Sequence, residues 1–376
     1  MLGYPAAPLW AGSQDLDYLL KQVADSLQLS RTQFSAAEAS YNAVSAWLGS
    51  ESSPLAALNP VIFPHGSVAL GTTVKPRRGQ KDDEYDVDCV CRLAPTSMGA
   101  MQVYGLVQER LAAHGTYKGM LERKNRCLRL NFAGQFHLDI LPAIPDVEGG
   151  GTKLLVPDRE ITEWTSSDPE GFARWFAAQS QPLREIRAHA QPLPEPTATE
   201  DKAALAIAVQ LIKRRRDMVF DGSEDAPRSI LLTTMAGRVY RGAEGIGAAL
   251  MQVVVGMAAD VRSSGGRIVV LNPVNEAEDF GESLDAGRMS KLRDFALGLE
   301  RDVAGLATLR GDQLNDAMKQ MFGTEPTNAA FEKWGELLNK RRDERTLTVT
   351  GNGKGALGIV SAVSARTVPQ NQYFGE

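Results

Sequence analysis

The chain has 376 residues, of which 41 are basic and 46 are acidic, so its formal net charge at pH 7 is −5. This acidic balance excludes a protein that binds nucleic acid over its whole surface, although a local basic patch could still bind a polyanion. The length is sufficient for two domains that share a cleft. The three cysteines and four scattered histidines show no spacing typical of a structural zinc site.

The termini and apolar runs indicate a soluble protein. No charged start followed by an apolar core opens the chain, so we expect no secretory signal. The longest apolar run, residues 248–259, is interrupted and is shorter than the roughly 20 residues that span a bilayer. We therefore expect a cytoplasmic protein with reduced thiols and no membrane partner.

Two amphipathic helices are predicted first in the chain, over residues 16–29 and 30–48, with Ser30 as the N-cap of the second helix. Strands and helices then alternate as far as about Pro145. This alternation predicts an α/β lobe over residues 1–160, which would contain the catalytic site argued below.

The most informative segment is residues 66–91, GSVALGTTVKPRRGQKDDEYDVDCVC, which contains a predicted strand with two aspartates. Asp86 and Asp88 are separated by one residue, so a strand directs both side chains to the same face. A solvated edge strand is the alternative, but the apolar residues between and after them favour a strand in the core. Two adjacent carboxylates repel each other unless a cation neutralises them, and Mg²⁺ prefers such oxygen ligands.

A Gly-Ser turn precedes this strand. Gly66 allows a backbone to approach a phosphate closely, and successive N–H groups at a helix start can bind an anion. Ser67 adds a hydroxyl donor. We therefore predict that Gly66 and Ser67 bind the phosphates that share the metal.

A third acid lies on a predicted hairpin over residues 126–143. Two alternating runs are separated by Ala133-Gly134, and two residues that end in Gly are typical of a tight hairpin turn. Asp139 shares one strand face with His137, which we expect to support the acids rather than to bind the metal. An acid at this place could complete a site with three carboxylates.

Three carboxylates and the oxygens of a triphosphate can bind two Mg²⁺ ions about 3.5–4 Å apart, the arrangement used for in-line nucleotidyl transfer. We predict Asp86, Asp88 and Asp139 as the metal ligands, with Mn²⁺ as a possible substitute for Mg²⁺. Asp139 is also the predicted base for an attacking hydroxyl.

The second half of the chain is predicted to be helical over residues 161–345. Residues 162–189 show a helical, aromatic pattern, and the proline-rich residues 191–196 form a stiff connection to the next helix. Residues 346–376 are rich in Gly, Thr, Val and Ser and show little periodicity, so we expect a flexible tail. The basic run 213–216, taken alone, is only a charged helix surface.

The order of these features resembles the polymerase-β-like nucleotidyltransferases. Within them, HGSVALGTTVKP followed by DEYDVDCVCRL resembles the bacterial cGAS/DncV-like nucleotidyltransferases (CD-NTases), which make cyclic oligonucleotide signals in CBASS anti-phage defence. Residues 210–220, 227–240 and, more loosely, 269–280 are similar to the helical half of that family. The resemblance therefore covers most of the chain.

The resemblance implies an α/β (α+β) fold, in which a polymerase-β-like lobe with a mixed sheet and a long N-terminal helix packs on a helical C-terminal lobe. It implies that ATP and other ribonucleoside triphosphates are joined into a cyclic di- or trinucleotide, with release of pyrophosphate. It also implies that Lys213 and Ser229 grip the triphosphate, as matching residues do in the family.

Two alternatives remain open. A relative of the same superfamily could make linear oligonucleotides or nucleotidylate a protein, an RNA or a small molecule, but the matches in residues 210–240 argue against it. A non-catalytic nucleotide-binding scaffold usually lacks one metal ligand, whereas all three acids are present here. The identity of the bases and the size of the ring are also open.

Partners other than nucleotides are implied by the resemblance alone. Some relatives are conjugated through their C-terminus or regulated by partner proteins, and animal relatives are activated by nucleic acid. The last residue, Glu376, differs from the small residue at which conjugated relatives tend to end.

Overall fold

The structure is a computed structural model that describes residues 14–78, 81–82, 84–180, 193, 202–344, 348–349, 357–358 and 366–367. Its first elements are the two predicted helices, which are confirmed as α1 (Gln14–Leu27) and α2 (Arg31–Gly49). Ser30 caps α2 as predicted, because its hydroxyl accepts a hydrogen bond from the Gln33 N–H at 3.2 Å. The Gln33 side chain in turn accepts from the Ser30 N–H at 2.9 Å, which completes a capping box.

The following half of the chain builds a mixed sheet. Its elements in chain order are β1 (Val61–His65), α3 (Gly66–Ala69), β2 (Arg77–Arg78), β3 (Lys81–Asp82), β4 (Tyr85–Arg92), α4 (Ala100–Ala112), β5 (Leu121–Arg123), β6 (Leu128–Phe132), β7 (Phe136–Pro145), β8 (Leu154–Asp158) and β9 (Glu163–Ser167). Short 3₁₀ turns lie at Ala56–Leu58 and Tyr117–Gly119.

The main sheet has the strand order β1-β4-β7-β6-β5, and β8 and β9 extend it from β7. The pair β4 and β7 is parallel, whereas β1, β6 and β8 are antiparallel to their neighbours. One face of β4 carries Val87, Cys89 and Cys91, all buried in a core with residues of α2 and α4. The opposite face therefore carries the predicted acids.

The remaining elements form a mainly helical half. They are α5 (Pro169–Ser180), α6 (Ala204–Phe220), α7 (Ser229–Val239), α8 (Ile246–Ser263), β10 (Leu271–Asn272), β11 (Asn275–Asp279), α9 (Ala286–Leu306), α10 (Gly311–Phe322) and α11 (Thr324–Asp343). Helix α6 lies at its centre and is buried along most of its length. Helix α1 contributes to this second core, whereas α2 contributes to the core under the sheet. The two N-terminal helices thus tie the two halves together.

The predicted helix over residues 162–189 is wrong at its start. Residues 163–167 form β9, which pairs with β8, and the helix begins only at Pro169. Asp168 sets this boundary, because its side chain accepts from the Gly171 N–H at 2.8 Å and a proline is favoured at the first helical position. Residues 181–189 of this prediction lie outside the described residues.

Two further predictions fall mainly on residues that are not described. Of the connection over residues 191–196, only Leu193 is described, and it is buried. Of the predicted tail, three residue pairs are described, and they form a small antiparallel sheet. Its strands are β12 (Thr348–Val349), β13 (Leu357–Gly358) and β14 (Arg366–Thr367).

One helix of the described chain, α8, has the length and hydropathy of a membrane span, with a mean hydropathy of 1.3. It is nevertheless a core helix, because residues such as Val253, Val254 and Met257 are buried against neighbouring helices. In the described part of the chain, α8 therefore belongs to the core of the helical half.

Candidate active site

The parallel register of β4 and β7 brings the predicted acids together. Asp88 lies directly opposite Asp139, and Asp86 lies opposite His137. Residues that face each other across a strand pair project to the same side of the sheet. The three carboxylates therefore share one face, as the alternation of each strand predicts.

The Gly-Ser turn reaches the same place through β1, whose last residue, His65, pairs with Asp88. Gly66 has a φ of +62°, and a Cβ atom at this position would lie 2.2 Å from Oδ2 of Asp88. Only glycine fits this contact without displacing the carboxylate. Helix α3 has four residues, so the phosphate site predicted here depends on the close approach at Gly66 and on the Ser67 hydroxyl rather than on a helix dipole.

Lys213 reaches the loop that follows this turn. Its ammonium group donates to the carbonyl oxygen of Thr72 at 3.1 Å and to the Thr72 hydroxyl at 3.0 Å. Thr72 in turn donates its N–H to the Ser67 carbonyl at 3.0 Å. Lys213 is only 3% exposed, so it fixes the loop around Ser67 from the helical half and presents little surface to the cleft.

Ser229 is the first residue of α7, and its hydroxyl accepts from Arg216 Nη1 at 2.7 Å. The next residue, Ile230, lines a cleft that Gly66 also lines. The structure therefore brings the start of α7 and the Gly-Ser turn to one cleft. Arg216 thus holds Ser229, and it also forms an ion pair with Asp217. The basic run in the sequence does not distinguish Arg216 from its neighbours.

Burial and like charge dominate the electrostatics of the site. Burial, together with the neighbouring carboxylates Asp139 and Asp86, raises the pKa of Asp88 to about 7. Burial, with Arg216 nearby, lowers the pKa of Lys213 to about 7. Asp88 and Lys213 are therefore each close to losing their charge at neutral pH. An added cation would stabilise the ionised carboxylate, and an anionic ligand would stabilise the protonated ammonium.

Arg129 is a site residue that the sequence does not reveal. Its Nε and Nη2 atoms donate to the two oxygens of Asp139 at 2.7 and 2.8 Å, and Nη2 also donates to Asp86 at 3.0 Å. The predicted two-residue turn would place Arg129 opposite Leu138, on the wrong face. The turn instead has three residues with Gly134 at a φ of +74°, so Arg129 pairs with Asp139.

His137 lies beside the acids as expected. Its Nδ1 atom is 3.2 Å from Asp86 Oδ1, and its Nε2 atom is 2.7 Å from Glu84 Oε2. Glu84 also accepts from the Gly134 N–H, which joins the hairpin turn to the start of β4. His137 therefore holds Asp86 in place from the neighbouring strand.

The hairpin β10–β11 contributes a polar pair, Asn272 and Glu278, to the wall of the cleft. Asn272, which is buried, donates from Nδ2 to Glu278 Oε2 at 2.9 Å, and Arg126 lies 3.6 Å from the other oxygen of Glu278. Apolar side chains form much of the remaining wall. Residues that line this cleft include Gly66, Phe172, Ile230, Asn272, Glu278 and Phe280.

The three carboxylates fit a divalent cation by donor type and by charge. Hard oxygen ligands suit Mg²⁺. Burial, together with Asp139 and Asp86, raises the pKa of Asp88, so a dication beside it would stabilise the ionised carboxylate. In the described part of the chain, no group of three or more His, Cys, Asp or Glu side chains is arranged to hold a metal ion by itself. The acids would therefore provide an open, partial ligand set that phosphate oxygens complete.

Part of the chain matches a known family, and a similar protein covers nearly its whole length. Residues 15–179 match the family described as the Second Messenger Oligonucleotide or Dinucleotide Synthetase domain. A c-di-GMP synthase of Roseivirga ehrenbergii is 29% identical over 378 residues, which cover 96% of this chain and 97% of the relative.

Solved structures show the same fold. The Bradyrhizobium diazoefficiens CD-NTase CdnG in complex with GTP has a TM-score of 0.70 at 22% identity and covers 85% of this chain and 99% of that one. The Vibrio cholerae DncV cyclic AMP-GMP synthase with nonhydrolyzable GTP has a TM-score of 0.54 at 16% identity, and covers 84% of this chain and 87% of that one.

The fold is the polymerase-β-like nucleotidyltransferase fold of these solved structures. The family match assigns residues 15–179 to the Second Messenger Oligonucleotide or Dinucleotide Synthetase domain, and over most of its length the chain is similar to the CD-NTases, the cGAS/DncV-like enzymes. The relatives that match most of this chain are synthases of cyclic dinucleotides, and divalent metal ions are the cofactors general to their family.

The contact at Gly66 generates the first prediction. In Gly66→Ala, the added methyl group would displace the Asp88 carboxylate, so we expect the rate of nucleotide product formation to fall by about 100-fold. Gly265→Ala is the matched control, because Gly265 has a φ of +60° and its added methyl group would have no described heavy atom within 4 Å. Both variants carry similar backbone strain, so equal rates in the two would contradict the assigned role of Gly66.

The raised pKa of Asp88 generates a second prediction, for protein without metal or nucleotide. Between pH 3.8, the ordinary pKa of the aspartate, and about pH 7, folded Asp88 keeps a proton that the unfolded chain loses. The free energy of unfolding therefore falls as pH rises through this range. Asp88→Asn removes this titration. We expect its free energy of unfolding, relative to the wild type, to increase from about pH 5 to about pH 8 in denaturant titrations.

Asp225→Asn is the control for this measurement. Hydrogen bonds from Lys291 and Arg288 lower the pKa of Asp225 below its ordinary value of 3.8. That group therefore stays ionised in both states over the measured range, and its variant should differ from the wild type by a constant amount. A constant difference for Asp88→Asn as well would contradict the buried, cation-poor site.

Proposed function

We propose that this chain condenses GTP into a guanine-containing cyclic dinucleotide in the cleft between the sheet and the helical half, and that the product serves in anti-phage signalling in the cytoplasm. The observation that carries the chemistry is the β4–β7 register, which sets Asp88 beside Asp139 and next to Gly66. The relatives named above support the guanine nucleotide and the cyclic product.

In the proposed mechanism, Asp86, Asp88 and Asp139 bind two Mg²⁺ ions, or Mn²⁺ in their place. When bound, these ions neutralise the carboxylates and the triphosphate and lower the pKa of the attacking hydroxyl. Asp139 accepts the proton of that ribose hydroxyl, whose oxygen attacks the α-phosphorus of the donor nucleotide. Pyrophosphate leaves, and a second transfer of the same kind closes the ring.

The donor triphosphate is held from both halves of the protein. The Gly66 N–H and the Ser67 hydroxyl donate to its oxygens from the sheet side. Lys213 acts through the Thr72 loop and by its charge, and Ser229 donates from the start of α7. Because Lys213 is buried against that loop, we assign its main effect to holding Ser67 in place.

Glu278 is the proposed reader of the base. The Watson–Crick edge of guanine offers two neighbouring donors, N1–H and the N2 amino group, which a carboxylate can accept together. Adenine presents an acceptor at N1 and would be repelled. The Asn272 amide orients Glu278, while Ile230 and Phe280 provide apolar walls for a planar ring.

The central test is the double variant Asp86→Asn/Asp88→Asn. We expect it to form no nucleotide product, because the metal ligands are lost, while its thermal unfolding remains cooperative. Asp225→Asn, an aspartate variant outside the cleft, should retain wild-type rates. Undiminished product from the double variant would refute the proposed chemistry.

The product itself separates this function from a linear synthase. Products made from all four ribonucleoside triphosphates are analysed by mass spectrometry before and after phosphatase treatment. A cyclic dinucleotide has no terminal phosphate and resists the enzyme, whereas a linear product loses mass. A phosphatase-sensitive product would refute the proposed ring closure.

Base reading generates a further prediction. In Glu278→Gln, one of the two acceptors becomes a donor, so kcat/KM for GTP should fall by about 10–100-fold while that for ATP falls much less. Glu276→Gln is the matched control on the same strand, since Glu276 is exposed and does not line the cleft. An equal loss for both nucleotides would show that Glu278 supports the fold of the cleft and does not select the base.

A further inference from the structure

Arg129 provides positive charge at the carboxylates from within the chain. It engages both oxygens of Asp139 in a bidentate pair, and the same Nη2 atom reaches Asp86. Asp139 and Arg129 are largely buried, with 13% and 19% of their side chains exposed, whereas Asp86 is 53% exposed. One guanidinium thus bridges two of the three acids.

The same oxygens are the proposed metal ligands. A guanidinium that lies on them reduces their net negative charge and repels an approaching dication at short range. The backbone keeps the arginine there, because Arg129 and Asp139 are directly paired in the β6–β7 register. A divalent ion therefore has to compete with a cation that is already tethered.

We propose that Arg129 competes with the divalent metal for Asp86 and Asp139 and moves to the nucleotide phosphates when they enter the cleft. This inference rests on the proposed assignment of these acids as metal ligands. A guanidinium fork fits a phosphate as well as it fits a carboxylate, so the transfer exchanges one bidentate partner for another.

This exchange makes metal binding depend on nucleotide binding. Without a nucleotide, the carboxylates bind metal weakly because Arg129 occupies them. With a nucleotide, the phosphates take Arg129 and supply further oxygen ligands, so the metal binds more tightly. By linkage, the metal must then strengthen nucleotide binding by the same factor. Arg129 is in this sense a positioning residue for ordered assembly of the site.

The test measures Mn²⁺ binding to the nucleotide-free, full-length protein by the electron paramagnetic resonance signal of free Mn²⁺. Arg129→Gln should bind Mn²⁺ at least about tenfold more tightly than the wild type, because the competing charge is gone. Arg262→Gln is the control, since Arg262 forms an arginine–carboxylate pair with Glu300 on the far helices. This control should match the wild type.

A second measurement tests whether Arg129 binds the nucleotide phosphates. With EDTA present, a nonhydrolysable GTP analogue should bind Arg129→Gln at least about tenfold more weakly than the wild type, because one phosphate partner is lost. Arg129→Lys keeps the charge but not the fork. It should bind Mn²⁺ nearly as weakly as the wild type, and it provides the test if Arg129→Gln unfolds.

Opposite signs in these two measurements support the proposal. Unchanged or weaker Mn²⁺ binding in Arg129→Gln, or unchanged analogue binding, would overturn it, because the arginine would then be a fixed structural partner. Adding Asp86→Asn to Arg129→Gln should remove the gain in Mn²⁺ affinity. If the gain persists, the metal lies elsewhere and the proposed ligands are wrong, so this outcome separates failure of the proposed function from failure of the inference.

Discussion

The site depends on one constraint, the parallel pairing of β4 with β7. This register sets Asp88 against Asp139, and the antiparallel pairing of β1 with β4 sets Gly66 against the same aspartate. Since side chains alternate along a strand, a slip of one residue would turn Val87 and Leu138 into the cleft. Both are buried under α2 and α4, so burial of the opposite face fixes the position of the carboxylates.

Helix α6 of the second half contacts the loop that follows the Gly-Ser turn. From helix α6, Lys213 donates a hydrogen bond to Thr72, and the Gln210 amide donates one to the Thr73 carbonyl at 2.8 Å. Because α6 is packed among other helices, the loop after the Gly-Ser turn is fixed by the core of the helical half. Burial disfavours the charged forms of both Asp88 and Lys213. It raises the pKa of the Asp88 carboxyl and lowers the pKa of the Lys213 ammonium.

Local patterns predict the part of this arrangement that lies within single strands and turns. Alternation places Asp86 and Asp88 on one face, and a serine before an amphipathic run identifies the start of α2. Pairing between strands is harder, because the residue count of the β6–β7 turn decides the face of Arg129 and depends on the positive φ of Gly134. Lys213 and Ser229 were accessible only through a family resemblance, since no spacing relates them to the acids.

Glu278 shows why substrate choice is the least predictable part of such a site. It comes from a short hairpin nearly 200 residues after Asp86 in the sequence, and its partner Asn272 lies across that hairpin. The hairpin contacts the sheet half where Asn275 donates to the Ser166 carbonyl at 3.3 Å. Side chains on this hairpin can change without moving the β4–β7 register, because the carboxylates are fixed by a different core. The fold thus separates the proposed catalytic centre, which strand pairing sets, from the proposed base-binding wall, which can vary without changing that pairing.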